Sequence, residues 1–280
     1  MTIQTQSSEP AALSQGGEPQ RIIGGVNWVG LKTLYLKEVR RFMKVQLQTV
    51  WGPAITTLLF LVIFTVALGR GGATVMNVPF PDFIAPGLIA MAMIQNAFAN
   101  SSFSLLVGKI QGTIVDYLMP PLSNLELMVA MVGAAVTRAF FVGGAVWLVM
   151  LFWPGVHVTL KAPFVALWFG LMGSVFVAFL GILTSIWAEK FDHNAAVTNF
   201  VIAPLSLLSG TFYSVDRLAP AFQVISHANP FFYIISGFRY GFLGTTDSNI
   251  WLGGSVLLVV NVVLGIGTYF LLRSGWKLKA

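Results

Sequence analysis

The chain has 280 residues, of which 56% are hydrophobic and 9% charged, with a net charge of +6. Soluble domains carry about 25% charged residues, so a water-facing globule is excluded and the broad class is an integral membrane protein. There is no cysteine, which excludes disulfides, thiolate metal sites and cysteine nucleophiles, and the basic residues flank apolar runs instead of forming an aromatic-interleaved nucleic-acid patch.

Residues 1–25 begin MTIQTQSSEPAALSQGGEPQ. They are polar, lack the apolar core of a secretory signal, and read as a disordered tail. Residues 28–48 predict an amphipathic helix: Trp28, Leu31, Tyr35, Val39 and Phe42 recur at three- and four-residue spacing. Lys32, Lys37, Arg40, Arg41 and Lys44 crowd the other face, which suits the membrane interface and its anionic lipid or, alternatively, a partner. Spans are expected at about 51–68, 83–107, 127–152, 163–187, 195–210 and 251–272, which makes an all-α architecture of six transmembrane helices. Trp51, Trp153, Trp187, Trp251 and Trp276 fall near span ends, where interfacial tryptophans are favoured. Pro120-Pro121 break the connection between spans two and three. Gly170, Ser174 and Ala178 form a small-residue stripe on span four that permits close helix packing.

Charge sets the orientation. With the N-terminus in the cytoplasm and six spans, Arg21, Lys32, Lys37, Arg40, Arg41, Lys44, Lys109, Lys190, Arg273, Lys277 and Lys279 fall inside. Arg70, Lys161, Arg217 and Arg239 fall outside, and Arg138 lies within span three. The bias places both termini in the cytoplasm. Residues 209–230, SGTFYSVDRLAPAFQVISHANP, interrupt the apolar pattern, and the region 211–246 then offers a run, 229–244, of only about 24 Å as helix, short of the ~30 Å hydrocarbon core. A seventh full span would also put Arg273, Lys277 and Lys279 outside. The region therefore reads as one or two short re-entrant helices dipping in from the outer face, with Asn229-Pro230 as a helix start.

The order of these parts, with the link DYLMPPLSNLELMVA and the stretch PLSLLSGTFYSVDRLAPAFQVISHANPFFYIISGFRYG, resembles the permease subunit of ABC-2 type exporters over residues 28–275. The most specific part comprises Ser209, Gly210, Phe212, Pro220, Asn229, Pro230 and Arg239. The resemblance implies a homodimer of permeases bound to two copies of a separate ATPase, in a bacterial inner membrane, exporting a drug, a lipid or a lipid-linked or capsular glycan. It implies that the link after span two is a coupling helix touching the ATPase, and that the amphipathic helix helps form that contact. No cofactor is expected on this chain; ATP and Mg belong to the partner. The residues agree on one point: no G-x-x-x-x-G-K-[ST] loop is present, and Gly108-Lys109 is the one Gly-Lys pair.

The candidate residues follow. Glu38, Arg40, Arg41, Lys109, Asp116 and Glu126 are candidates for coupling to the ATPase, against the reading that cytoplasmic loops and interfacial helices simply carry charge. Gln95, Asn96 and Asn100, with Ser101, Ser102 and Ser104, make span two unusually polar; they either line a translocation path or bond between helices. Arg138, about 16 Å into its span by helical rise, is either a substrate or gating contact for an anionic group or snorkels to the cytoplasm. Ser209, Gly210, Phe212, Asn229, Pro230, Phe231 and Arg239 are candidates for an outer gate. Phe212, Tyr213, Phe222, Phe231, Phe232 and Tyr233 form either a greasy exit or ordinary interface anchors. His157, His193 and His227 sit in separate loops without metal-ligand spacing; His227 reads as a proton-sensitive gate or a solvated histidine. The alternative functions are an ion-gradient-driven secondary transporter, which would show mid-span acids and repeated halves, and a membrane-embedded enzyme, for which no catalytic constellation is present.

Overall fold

The computed structural model describes residues 25–68 and 74–278. The tail expected over 1–25, apart from Gly25, lies outside these residues, as do Arg21, Arg70 and Lys279. Among the described residues the chain is almost entirely helical, with one two-residue hairpin.

Helix α1 (Trp28–Met43) starts because the Asn27 side chain accepts from Gly30 N at 2.9 Å. A π-helical turn (Leu47–Trp51) leads into α2 (Gly52–Leu68). The hairpin of β1 (Thr74–Val75) and β2 (Val78–Pro79) delivers the chain to α3 (Phe80–Ile110). Helix α3 has 31 residues, roughly 46 Å of rise, and it is the axis of the molecule. Pro86 sits in its second turn. Its neighbours are α2, α5 (Asn124–Leu151), α6 (Pro163–Trp187) and α10 (Pro230–Leu243), and these bury it on most sides. The short helix α4 (Val115–Leu118) lies in the connection to α5. Helix α5 opens with a capping box in which Ser123 and Glu126 satisfy each other's backbone donors. Helix α11 (Ile250–Ser274) starts at Asn249, whose side chain accepts from Trp251 N and Leu252 N.

Among the described residues, five helical runs are long and apolar enough to cross a membrane: Leu47–Ala67, α3, α5, α6 and α11. The sixth expected crossing, 195–210, falls on α7 (Phe191–Val197), a second π-helical turn (Thr198–Ile202) and α8 (Ala203–Leu207). That run spans roughly 25 Å and lies below the length of the other five. The region after it holds a 3-10 turn (Val215–Arg217), α9 (Pro220–Ala228) and α10. Asn229 ends α9 and caps α10, accepting from Phe231 N at 3.1 Å. Helix α10 is buried along nearly its whole length, and its C-terminal carbonyls are satisfied by Gly244 N and by Lys161 Nζ at 2.9 Å from Leu243 O.

Among the described residues, contact between α3 and α6 is the most extensive in the fold. A Cβ at Gly181 would stand 2.0 Å from Ser101 Oγ and 2.9 Å from Phe98 O, so only glycine admits this approach. Ser174 and Ala178, members of the expected small stripe, are buried on the same helix.

Candidate functional site

The first feature built by this fold is a polar knot that joins α1, α3 and α4. Leu34, Glu38 and Phe42 recur every fourth residue, and this is the buried stripe of α1. Glu38 is fully buried, and every oxygen of its carboxylate is used. One accepts from Ser104 Oγ at 2.7 Å and pairs with Arg41 Nη2 at 2.9 Å; the other accepts from Tyr117 Oη at 3.1 Å. Burial, and then the neighbouring Glu38 carboxylate, push the Tyr117 phenol well up, so it stays protonated and donates. Lys37 Nζ lies 3.9 Å from the centre of the same ring. Glu38 was expected to meet a partner's surface; instead it is an internal bracket, because it shares the stripe of Leu34 and Phe42. Trp28 is correspondingly 71% exposed, so the face of α1 that packs inward is rotated from the one its tryptophan suggested.

From this knot a polar seam runs along α3. Asn96, Asn100 and Ser104 stand one turn apart on one face. Arg41 Nη2 donates to Asn100 O at 2.8 Å and to Ser104 Oγ at 3.1 Å. Arg138, from α5, donates to Asn96 Oδ1 at 2.9 Å. Among the described residues, three donors of this seam, Arg41 Nη1, Asn100 Nδ2 and Arg138 Nε, are buried without a partner. Asn96 also helps wall a cavity of about 530 Å³ between α2, α3 and the end of α8. Gln95, Thr56, Phe60, Phe64, Met91 and Phe212 are among its other walls. Two path candidates, Gln95 and Asn96, thus meet one outer-gate candidate, Phe212, around one cavity. Phe64 and Phe212 touch, with ring centres 4.5 Å apart. Of the remaining polar residues on α3, Ser101 and Ser102 bond back to carbonyls of their own helix.

The residues of the outer motif form a lock. Asn229 Nδ2 donates to Leu205 O at 2.9 Å and Ser209 Oγ at 3.0 Å. Gly210 takes a left-handed φ of 75°, and its carbonyl accepts from Arg239 Nη2. Arg239 is 1% exposed, lies 4.0 Å over the Phe83 ring and faces Asp247 at 3.7 Å. Asp247 in turn accepts from Val215 N at 3.3 Å. Arg239 was assigned to the outer aqueous side by charge counting; the structure puts it in the core, paired. Phe231, Phe232 and Tyr233 are core residues too.

The other candidates divide cleanly. Arg40 and Asp116 are exposed. Lys109 Nζ caps the end of α6 through Ser185 O, Ile186 O and Ala188 O at 2.6–3.3 Å. Glu126 is buried and ties the start of α1 to the start of α5, accepting from Asn27 N and Ser123 N. His193 and His227 lie in α7 and α9 instead of loops. Sequence reasoning missed Tyr117, Phe83 and Asp247. It also missed the buried Asp82, which accepts from His157 N at 2.7 Å. No residue spacing announced these partners, since Tyr117 and Glu38 are brought together only by the docking of α1.

Residues 29–243 match the family model described as ABC-2 type transporter. The inner membrane transport permease YadH of Escherichia coli K12 is 37% identical over 253 residues, covering 90% of this chain and 98% of the relative. Nodulation protein J of Rhizobium leguminosarum bv. viciae is 26% identical over 255 residues, covering 89% and 95%. Nodulation protein J of Rhizobium meliloti 1021 is 24% identical over 225 residues.

Proposed function

The chain belongs to the ABC-2 type transporter family, as a permease, and from that premise we propose that it is the membrane half of an ATP-driven exporter in a bacterial inner membrane. Two copies join two copies of a separate ATPase subunit. The cargo is hydrophobic or amphipathic and leaves through the cavity between α2, α3 and α8. The run α7–α8 supplies a sixth crossing, α9 and α10 dip from the outer face, and both termini face the cytoplasm, in keeping with the Lys and Arg bias.

One observation carries this reading. The surface around α4 is exposed and apolar, with Val115 49%, Leu118 40% and Met119 78% exposed beside Asp116. That surface suits docking of another protein. Through Tyr117 it is bonded to Glu38, and through Glu38 to Ser104 of the seam. A push on α4 is thereby delivered to the helix that walls the cavity. Purification of the tagged chain from its native cells in mild detergent tests the proposal. A stoichiometric partner with a phosphate-binding loop and ATPase activity is the expected companion. A chain that emerges alone under several gentle detergents would overturn ATP coupling.

A further inference from the structure

The seam holds more positive charge than it neutralises. Arg41 and Arg138 bring two guanidinium groups to adjacent turns of α3, and among the described residues Glu38 is the one carboxylate bonded there. Glu38 is already committed to Arg41, Ser104 and Tyr117. Among the described residues Arg138 makes no ion pair; its one bond is to the neutral Asn96. The partnerless atoms at this place, Arg41 Nη1, Arg138 Nε and Asn100 Nδ2, are all N–H donors. A half-buried guanidinium such as Arg138, with a buried N–H left over and no counter-ion, is costly in an apolar surrounding, and charges within membrane spans face a bundle interior or a water-filled path.

We propose that the Arg41–Arg138 cluster, which adjoins the cavity through Asn96, is a head-group site for an anionic amphiphile, a molecule with one phosphate or carboxylate and an apolar body. The head supplies the acceptor oxygens that the three donors lack, and guanidinium groups are suited to phosphate and carboxylate alike. The body lies in the cavity of about 530 Å³, along Met91, Phe60, Phe64 and Phe212. Asn96 joins the two halves, because it accepts from Arg138 and walls the cavity. The proposal names the cargo class of the exporter and rests on that reading for its direction of transport, while binding itself requires no ATPase.

The test uses the full chain in phosphatidylcholine nanodiscs and four probes. These are oleoyl lysophosphatidic acid, oleate, neutral monooleoylglycerol and inorganic phosphate, with affinity measured by thermophoresis. Both anionic amphiphiles are expected to bind at least about tenfold more tightly than the neutral one, and phosphate alone far more weakly than either. Arg138→Leu should abolish that preference. Asn96→Asp should do the same while keeping the fold, since it gives Arg138 an internal carboxylate; its monodisperse elution checks this. Equal affinity for anionic and neutral amphiphiles, or an unchanged preference in a well-folded Asn96→Asp, would overturn the proposal. Phosphate binding as tightly as the lysophosphatidic acid would also overturn it, as a free-anion site. If the anion preference holds but no ATPase co-purifies, the cargo class stands and the energy source falls.

Discussion

Arg239 carries the largest single stake among the side chains. It is enclosed by the Gly210 carbonyl, the Phe83 ring and Asp247, so removing one member of the ion pair leaves the other buried and alone. Arg239→Leu or Asp247→Asn is expected to cost about 3–5 kcal/mol, seen as a fall in melting temperature of the detergent-solubilised chain. The double variant should recover much of the loss. A milder dependence belongs to Glu189, which meets Lys277 at 2.7 Å. The Lys277 hydrogen bond and charge hold its carboxyl below the usual range. The contact is therefore complete above the ordinary carboxylate range and is lost as pH falls through the lowered value. A spin label near Trp276 should become mobile on acidification, and in Glu189→Gln should already be mobile at pH 7. At this scale the sequence was half legible. Arg239 stood out as a motif residue, yet Phe83 lies far away along the chain and Asp247 sits beyond the end of α10, so neither shares a readable period with it.

Elements were easier to read than their partners. Hydropathy marks the membrane helices because lipid demands long apolar runs, and Pro163 and Trp187 bound α6 as expected. Helix α1 was also legible, but its inward face was not. The stripe Leu34–Glu38–Phe42 contains a carboxylate, and apolar periodicity passes over a buried charge whose partners come from other helices. Loop charges were equally opaque: Lys109 and Glu126 satisfy helix ends and caps, while Asp116 stays outside. The α1–α4 bond gives a direct test of coupling. Tyr117→Phe removes one hydrogen bond to Glu38, worth about 1.5–3 kcal/mol because the acceptor is charged. In the complex with its ATPase, nucleotide hydrolysis should persist while transport per ATP falls several-fold. Equal loss of both would place Tyr117 in assembly instead.

Across the whole molecule, burial is uneven. Helix α3 is buried while α2 and α11 expose most of their apolar residues. If two permeases enclose the path, the α2 side, which bears the cavity, faces the second copy and α11 faces lipid. The absence of native cysteine permits single-thiol mapping without background. Ile63→Cys is expected to give oxidised dimers in native membranes, visible on a non-reducing gel, and Val263→Cys on α11 is not; the reverse pattern would reject this arrangement. The Gly181 contact described above bears on how such a dimer works. At Gly181 only the Ser101 side chain and the backbone of α3 stand against α6, so one helix has little room there to slide past the other. In mechanical terms these two helices, with α10 locked against them, are a chassis. If the transporter cycles as proposed, displacement is expected at the walls of the cavity, α2 and α7–α8, each of which carries its own π-helical turn.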